Sequence, residues 1–128
     1  MPAQHVAGAV VINEIFYHAH PTFADGATPY SENSAEWIEL HNRSNASIDL
    51  ADYVFDDDDG VALAGANIPG GTIAAGQTAV LFNGFDLSMA QFAAAWGSGI
   101  NLIPVIEWPT LNNDGDVIGL WSSFANYG

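Results

Sequence analysis

The sequence predicts an all-β fold, an antiparallel β-sandwich with one short helix inserted. Three observations carry that reading. Most apolar residues fall in short β-branched or aromatic runs, turn residues separate those runs closely, and only one stretch has helical spacing. The first strand is 8–17, GAVVINEIFY, apolar on much of both faces with Asn13 and Glu14 near its middle. Residues 18–34 hold two prolines, a glycine and small polar residues without periodicity, and read as a long exposed loop. In 35–42, AEWIELHN, Ile38 and Leu40 share one face while Trp37, Glu39 and His41 share the other, with Glu36 on the inward side. A polar turn at 43–47 leads into an extended return over 47–55, which four aspartates and Gly60 stop.

Residues 61–73, rich in Ala, Gly and Pro, read as irregular with short strand pieces, and 77–82, QTAVLF, as a clear strand. The helix is placed between Asp86 and Trp96, with Asp86 or Ser88 as N-cap, Met89, Phe92 and Trp96 spaced i, i+3, i+7, and Gly97 as the stop. A short strand at 102–108, a tight turn at 112–116 (NNDGD) and a last strand at 117–121 (VIGLW) complete the set. No repeat or linker divides the chain, so residues 1–128 are expected to form a single domain.

Charge excludes whole classes of partner. The net charge is −14, from 15 acidic residues against one basic residue, Arg43. A nucleic-acid binder needs several Lys or Arg side chains to displace counterions from phosphate, so nucleic acid is excluded as a direct partner, and anionic membrane likewise. No apolar stretch approaches the ~18 residues of a membrane span, so membrane insertion is not expected. The hydrophobic fraction of 49% is too high for intrinsic disorder. Unpaired acids repel one another in the folded state, and stability is expected to rise with ionic strength or Ca²⁺. No basic n-region and apolar h-region follow Met1-Pro2-Ala3, so any export signal is expected to lie outside this chain.

Four blocks, in order, resemble the lamin-tail domain of bacterial type: VVINEI at 10–15, EWIELHNRSNASIDL at 36–50, IPGGTIAAGQTAVLF at 68–82 and LNNDGDVIGLW at 111–121. The resemblance extends to the helical insertion ending in AAAWG before the NNDGD turn. It implies an immunoglobulin-like sandwich and a binding or structural module without catalysis of its own. In bacteria such domains sit beside other modules in secreted or surface proteins, nucleases and other hydrolases among them. The family pattern continues past the equivalent of Asn126-Tyr127-Gly128 into a further edge strand. The chain is therefore expected either to be a piece of a longer protein or to have its sheet completed by a strand from elsewhere. The basic surface of lamin tails is missing at −14, so their chromatin contacts are not carried over.

The acidic loops are the strongest candidate site. If the strands at 8–17, 35–42 and 47–55 are simple antiparallel neighbours, the 18–34 loop and the Asp56–Asp59 turn share one end of the sandwich. Asp25, Glu32, Glu36, Asp57 and Asp59 then form a set of hard oxygen ligands suited to Ca²⁺. The spacing is not that of an EF-hand, whose first ligand position would fall on Phe55; the alternative is a solvated turn. Asn112, Asp114 and Asp116 form a second oxygen cluster, for which the resemblance favours a plain hairpin turn. His18 and His20, with Glu14 or His41, have the residue types of a transition-metal site, although loop histidines without metal are the simpler reading.

Catalysis finds little support. There is no cysteine, Gly97-Ser98-Gly99 lacks the strand-turn-helix setting of a nucleophile elbow, and among Glu14, Glu36 and Glu39 the last two face opposite sides of one strand. Trp37, Trp96, Trp108 and Trp121 could build a carbohydrate-stacking platform or simply core. Asn42-Arg43-Ser44 and Asn45-Ala46-Ser47 match the glycosylation triplet. The sequence thus points to a non-catalytic structural, assembly or adhesion module of an extracellular or cell-surface bacterial protein, Ca²⁺-stabilised and polymerising by β-strand addition. Its expected partners are other copies of itself or neighbouring domains. The alternative is an accessory binding domain of a secreted hydrolase or nuclease.

Overall fold

The computed structural model describes residues 9–17, 33–57, 61–111 and 117–127. In chain order the elements are β1 (Val10–Phe16), a 3-10 turn (Asn33–Ala35), β2 (Trp37–Asn42), β3 (Ile48–Asp49), β4 (Val54–Asp57), β5 (Thr72–Ile73), β6 (Thr78–Asn83), α1 (Met89–Trp96), β7 (Leu102–Val105), β8 (Ile118–Trp121) and α2 (Phe124–Tyr127). β1-β2-β6-β7 is a four-stranded sheet, while β3 pairs with β5 and β4 with β8. Ile38, Leu40, Leu81 and Ile103 from the sheet meet Leu50, Phe55, Ile73 and Leu120 from the two ribbons in one buried cluster. The result is the expected sandwich, with the ribbons as its second layer.

The alternation read in β2 decides which side faces that core. Ile38 and Leu40 are fully buried between the layers. Trp37 lies on the opposite face, where it is buried by a second cluster of Val80, Phe82, Leu87 and Phe92. α1 covers this outer face. Ser88 is its N-cap: the hydroxyl accepts from the Gln91 N–H at 3.1 Å and the Gln91 carboxamide accepts from the Ser88 N–H at 2.9 Å. Asp86, the other candidate, instead accepts from Ser34 Oγ (2.8 Å) and Asn83 Nδ2 (3.0 Å). Only Phe92 of the helix is fully buried, whereas Met89 and Trp96 stay partly in solvent.

Two strand readings need correction. The return over 47–55 is two strands in different ribbons, because the Tyr53 N–H bonds the Leu50 carbonyl (3.0 Å) and Asp52 takes φ 73, a turn that breaks the run. Neither β3 nor β4 neighbours β2, so the simple meander that put the acidic loops at one end is not present. The β6–β7 pair is parallel, not antiparallel. Parallel strands need a crossover of a dozen or more residues, which the α1 segment provides.

Buried amides bind the layers together. Asn42 is fully buried, donating to Ala46 O (2.8 Å) and Ile73 O (2.9 Å) and accepting from the Ser44 N–H (3.0 Å). Of the two glycosylation triplets, therefore, only Asn45 presents an exposed side chain. Tyr53 is also buried in the core cluster, and burial raises its phenol above the ordinary 10.0. The fold favours the neutral phenol, so its contribution is intact below pH ~10 and is lost as pH climbs from there toward the folded-state value. Urea unfolding at pH ~8 and ~11 is expected to show a smaller alkaline loss for Tyr53→Phe than for the unaltered protein. Equal losses would mean that the phenol is as well solvated folded as unfolded.

Candidate functional site

Of the expected Ca²⁺ ligands, Asp25, Glu32 and Asp59 lie outside the described residues. Glu36 is 1% exposed, and its Oε2 accepts from the Trp108 indole N–H (2.9 Å) and the Leu111 N–H (3.2 Å). This carboxylate pins the segment after β7 to the start of β2, in keeping with the inward side on which the alternation places Glu36. Asp57 is half-buried at the end of β4, opposite Ile118. Asp56, read as part of an exposed stop, is buried and accepts a hydrogen bond from Tyr127 Oη, which in turn accepts from the Leu63 N–H at 2.9 Å. Among the described residues no group of three or more His, Cys, Asp or Glu is placed to hold a metal ion. His18, His20, Asn112, Asp114 and Asp116 lie outside them; His41 sits in β2 between Val11 and Thr78.

The described concavity of greatest chemical interest is a groove of ≈670 Å³ between α1 and the outer face of the four-stranded sheet. Glu14, Glu39, Gln77 and Asn101 supply polar groups to it, and Trp37 and Trp96 supply aromatic ones. A β-bulge at Asn13 shifts the β1–β2 register so that Glu14 stands directly across from Glu39. The Asn13 carboxamide donates to Glu39 Oε1 at 2.6 Å. Phe16 stacks on Trp37 (5.3 Å between centroids, 14°), and Trp96 meets both edge-on at 5.3 and 5.5 Å. Beyond α1, Gly97 (φ 100) and Gly99 (φ 86) adopt angles that β-carbons disfavour, turning the chain back along the groove. Asn101 is held there by its Nδ2 bond to Thr72 O (2.8 Å).

Of the four tryptophans considered as a stacking platform, the fold unites Trp37 and Trp96. Trp108 instead packs against Phe55 at 5.2 Å and Trp121 against Tyr127 at 5.0 Å. The Glu14–Glu39 juxtaposition was not legible, because it depends on one extra residue in β1. Gln77 and Asn101 carry no motif; their only signal is position beside strand ends that flank a short helix.

The sequence profile of the lamin tail domain family matches residues 3–124. No curated protein sequence matches the chain. The matched span includes every described strand, the capped helix α1 and the buried clusters on the two faces of the four-stranded sheet. The immunoglobulin-like sandwich and the profile agree, and the chain belongs to the lamin tail domain family.

Proposed function

We propose that this domain is a non-catalytic assembly or adhesion module of an extracellular or cell-surface protein, joined through its β1 edge to another copy or to a neighbouring domain. The observation that carries this reading is the strand order: among the described residues β1 pairs only with β2, leaving the other edge of an apolar strand open. Membership in a family of structural immunoglobulin-like domains supports the absence of catalysis. Among the described residues no helix is long and apolar enough to cross a membrane. With 15 acidic residues and one basic one, association must overcome repulsion, which salt and Ca²⁺ relieve by screening the acidic surface.

Size-exclusion chromatography with light scattering tests this directly. Mass is expected to rise with protein concentration and to rise further with Ca²⁺ than with chelator. Val11→Lys, which puts a charge on the edge strand, is expected to abolish association while leaving the fold intact. A monomer at every concentration, with and without Ca²⁺, would remove the assembly reading. The aromatic groove favours a second reading, an accessory binding domain of a secreted hydrolase or nuclease.

A further inference from the structure

We propose that the groove between α1 and the outer sheet face binds a neutral glycan, with Trp96 as the stacking surface and Glu14, Glu39, Gln77 and Asn101 as hydroxyl partners. Its volume of ≈670 Å³ lies within the range of about 300–1,000 Å³ typical of small-ligand sites. Trp96 belongs to an aromatic cluster yet remains 40% exposed at the groove wall. A sugar ring has a face of C–H bonds that packs on an indole and a rim of hydroxyls that seeks polar partners, so one ligand meets both halves of this lining.

The polar groups narrow the chemistry. Carboxylates only accept, carboxamides both donate and accept, and a hydroxyl does both. Glu14 and Glu39 stand opposite each other as like charges, and the chain's one basic side chain, Arg43, does not line the groove. Hydroxyl donors shared between these two carboxylates relieve that opposition. Trp37, nine-tenths buried among the lining residues, carries an indole N–H with no hydrogen-bond partner among the described residues. An amine would answer the carboxylates and the Gln77 oxygen as a donor only, whereas a sugar hydroxyl also accepts from the Gln77 NH₂ and its ring packs on Trp96. Acidic sugars are repelled by the carboxylate pair and by the −14 net charge. The site does not require β1 pairing: a strictly monomeric chain binds as well as an associated one, so the two proposals fail separately.

Isothermal titration calorimetry with cello-, xylo-, manno- and chito-hexaose, alongside oligogalacturonate and octalysine, tests the site. At least one neutral hexasaccharide is expected to bind, and oligogalacturonate is not. Trp96→Ala is expected to weaken binding about tenfold or more by removing the stacking surface. Since Trp96 also touches Phe16 and Phe92, the exposed-rim variants Glu14→Ala and Gln77→Ala provide the same test without touching the core, each with a loss of about threefold or more. The proposal is overturned by silence with all four neutral sugars, by unchanged affinity in the rim variants or in a folded Trp96→Ala, or by tighter binding of octalysine than of any sugar.

Discussion

Replacing Asn67 by leucine is expected to destabilise the fold by about 4 kcal/mol, through polar groups stranded in the interior rather than through lost packing. Asn67 is 1% exposed, and its side chain binds both backbone groups of Phe55: Oδ1 accepts from the N–H at 2.9 Å and Nδ2 donates to the carbonyl at 2.7 Å. Nδ2 also donates to Glu107 O at 2.8 Å. Among the described residues β4 has a strand partner only in β8, so this one carboxamide does for Phe55 what a neighbouring strand would do. Leucine matches its bulk but leaves three backbone groups without partners, each costing about 1–3 kcal/mol less whatever water recovers. Urea unfolding measures the difference. A loss under about 1 kcal/mol would mean that water enters and replaces the amide.

Phe92→Ala is expected to cost about 3–5 kcal/mol, the range for emptying a buried aromatic site. The ring packs on Phe82 at 5.3 Å and lies 6.4 Å from Trp96. As the one fully buried residue of α1, it holds the helix on the sheet. The damage is expected to be uneven: amide exchange accelerates over 88–97, while β2 and β6, anchored in the inner cluster by Ile38, Leu40 and Leu81, keep their protection. Met89→Ala, at a half-exposed position on the same helix, is expected to stay within about 0.5 kcal/mol of the parent. Uniform acceleration in Phe92→Ala would show that the two clusters open as one unit.

What could be read in advance followed the physics of each segment. β2 and β6 declare themselves by alternation or by a dense apolar run, and α1 by the Ser88 cap, the Met89, Phe92 and Trp96 spacing and Gly97, because the signals for these elements lie within a few residues. The division of 47–55 into two strands hangs on Asp52 in the left-handed region, which a non-glycine residue seldom announces. Asn42 and Asn67 look like ordinary surface residues until a distant backbone comes to meet them, and Glu36, although placed on the inward side, finds its partners at Trp108 and Leu111, far along the chain. The groove is of the same kind. Trp96 was visible as an aromatic on a helix, but its company with Glu14 and Glu39 needed the bulge at Asn13 and a parallel crossover, neither of which has a local signature. The expected Ca²⁺ set rested on charge density alone, and its one deeply buried member, Glu36, serves an indole and a backbone N–H.

Pro104 in β7 sets how far any assembly of the four-stranded sheet can grow. Val80 N–H bonds Asn101 O at 2.8 Å and Gly84 N–H bonds Val105 O at 3.1 Å, so the odd-numbered residues of β7 turn toward β6 and Pro104 turns outward. That outer edge lacks a donor where an added strand would need one. Among the described residues, the β1 side is therefore the edge of this sheet better suited to an added strand. Two copies meeting β1 to β1 in antiparallel fashion are related by a twofold axis and, among the described residues, each covers the other's β1 edge of the four-stranded sheet. The symmetry closes at a dimer, and a fibre would need a second, different contact.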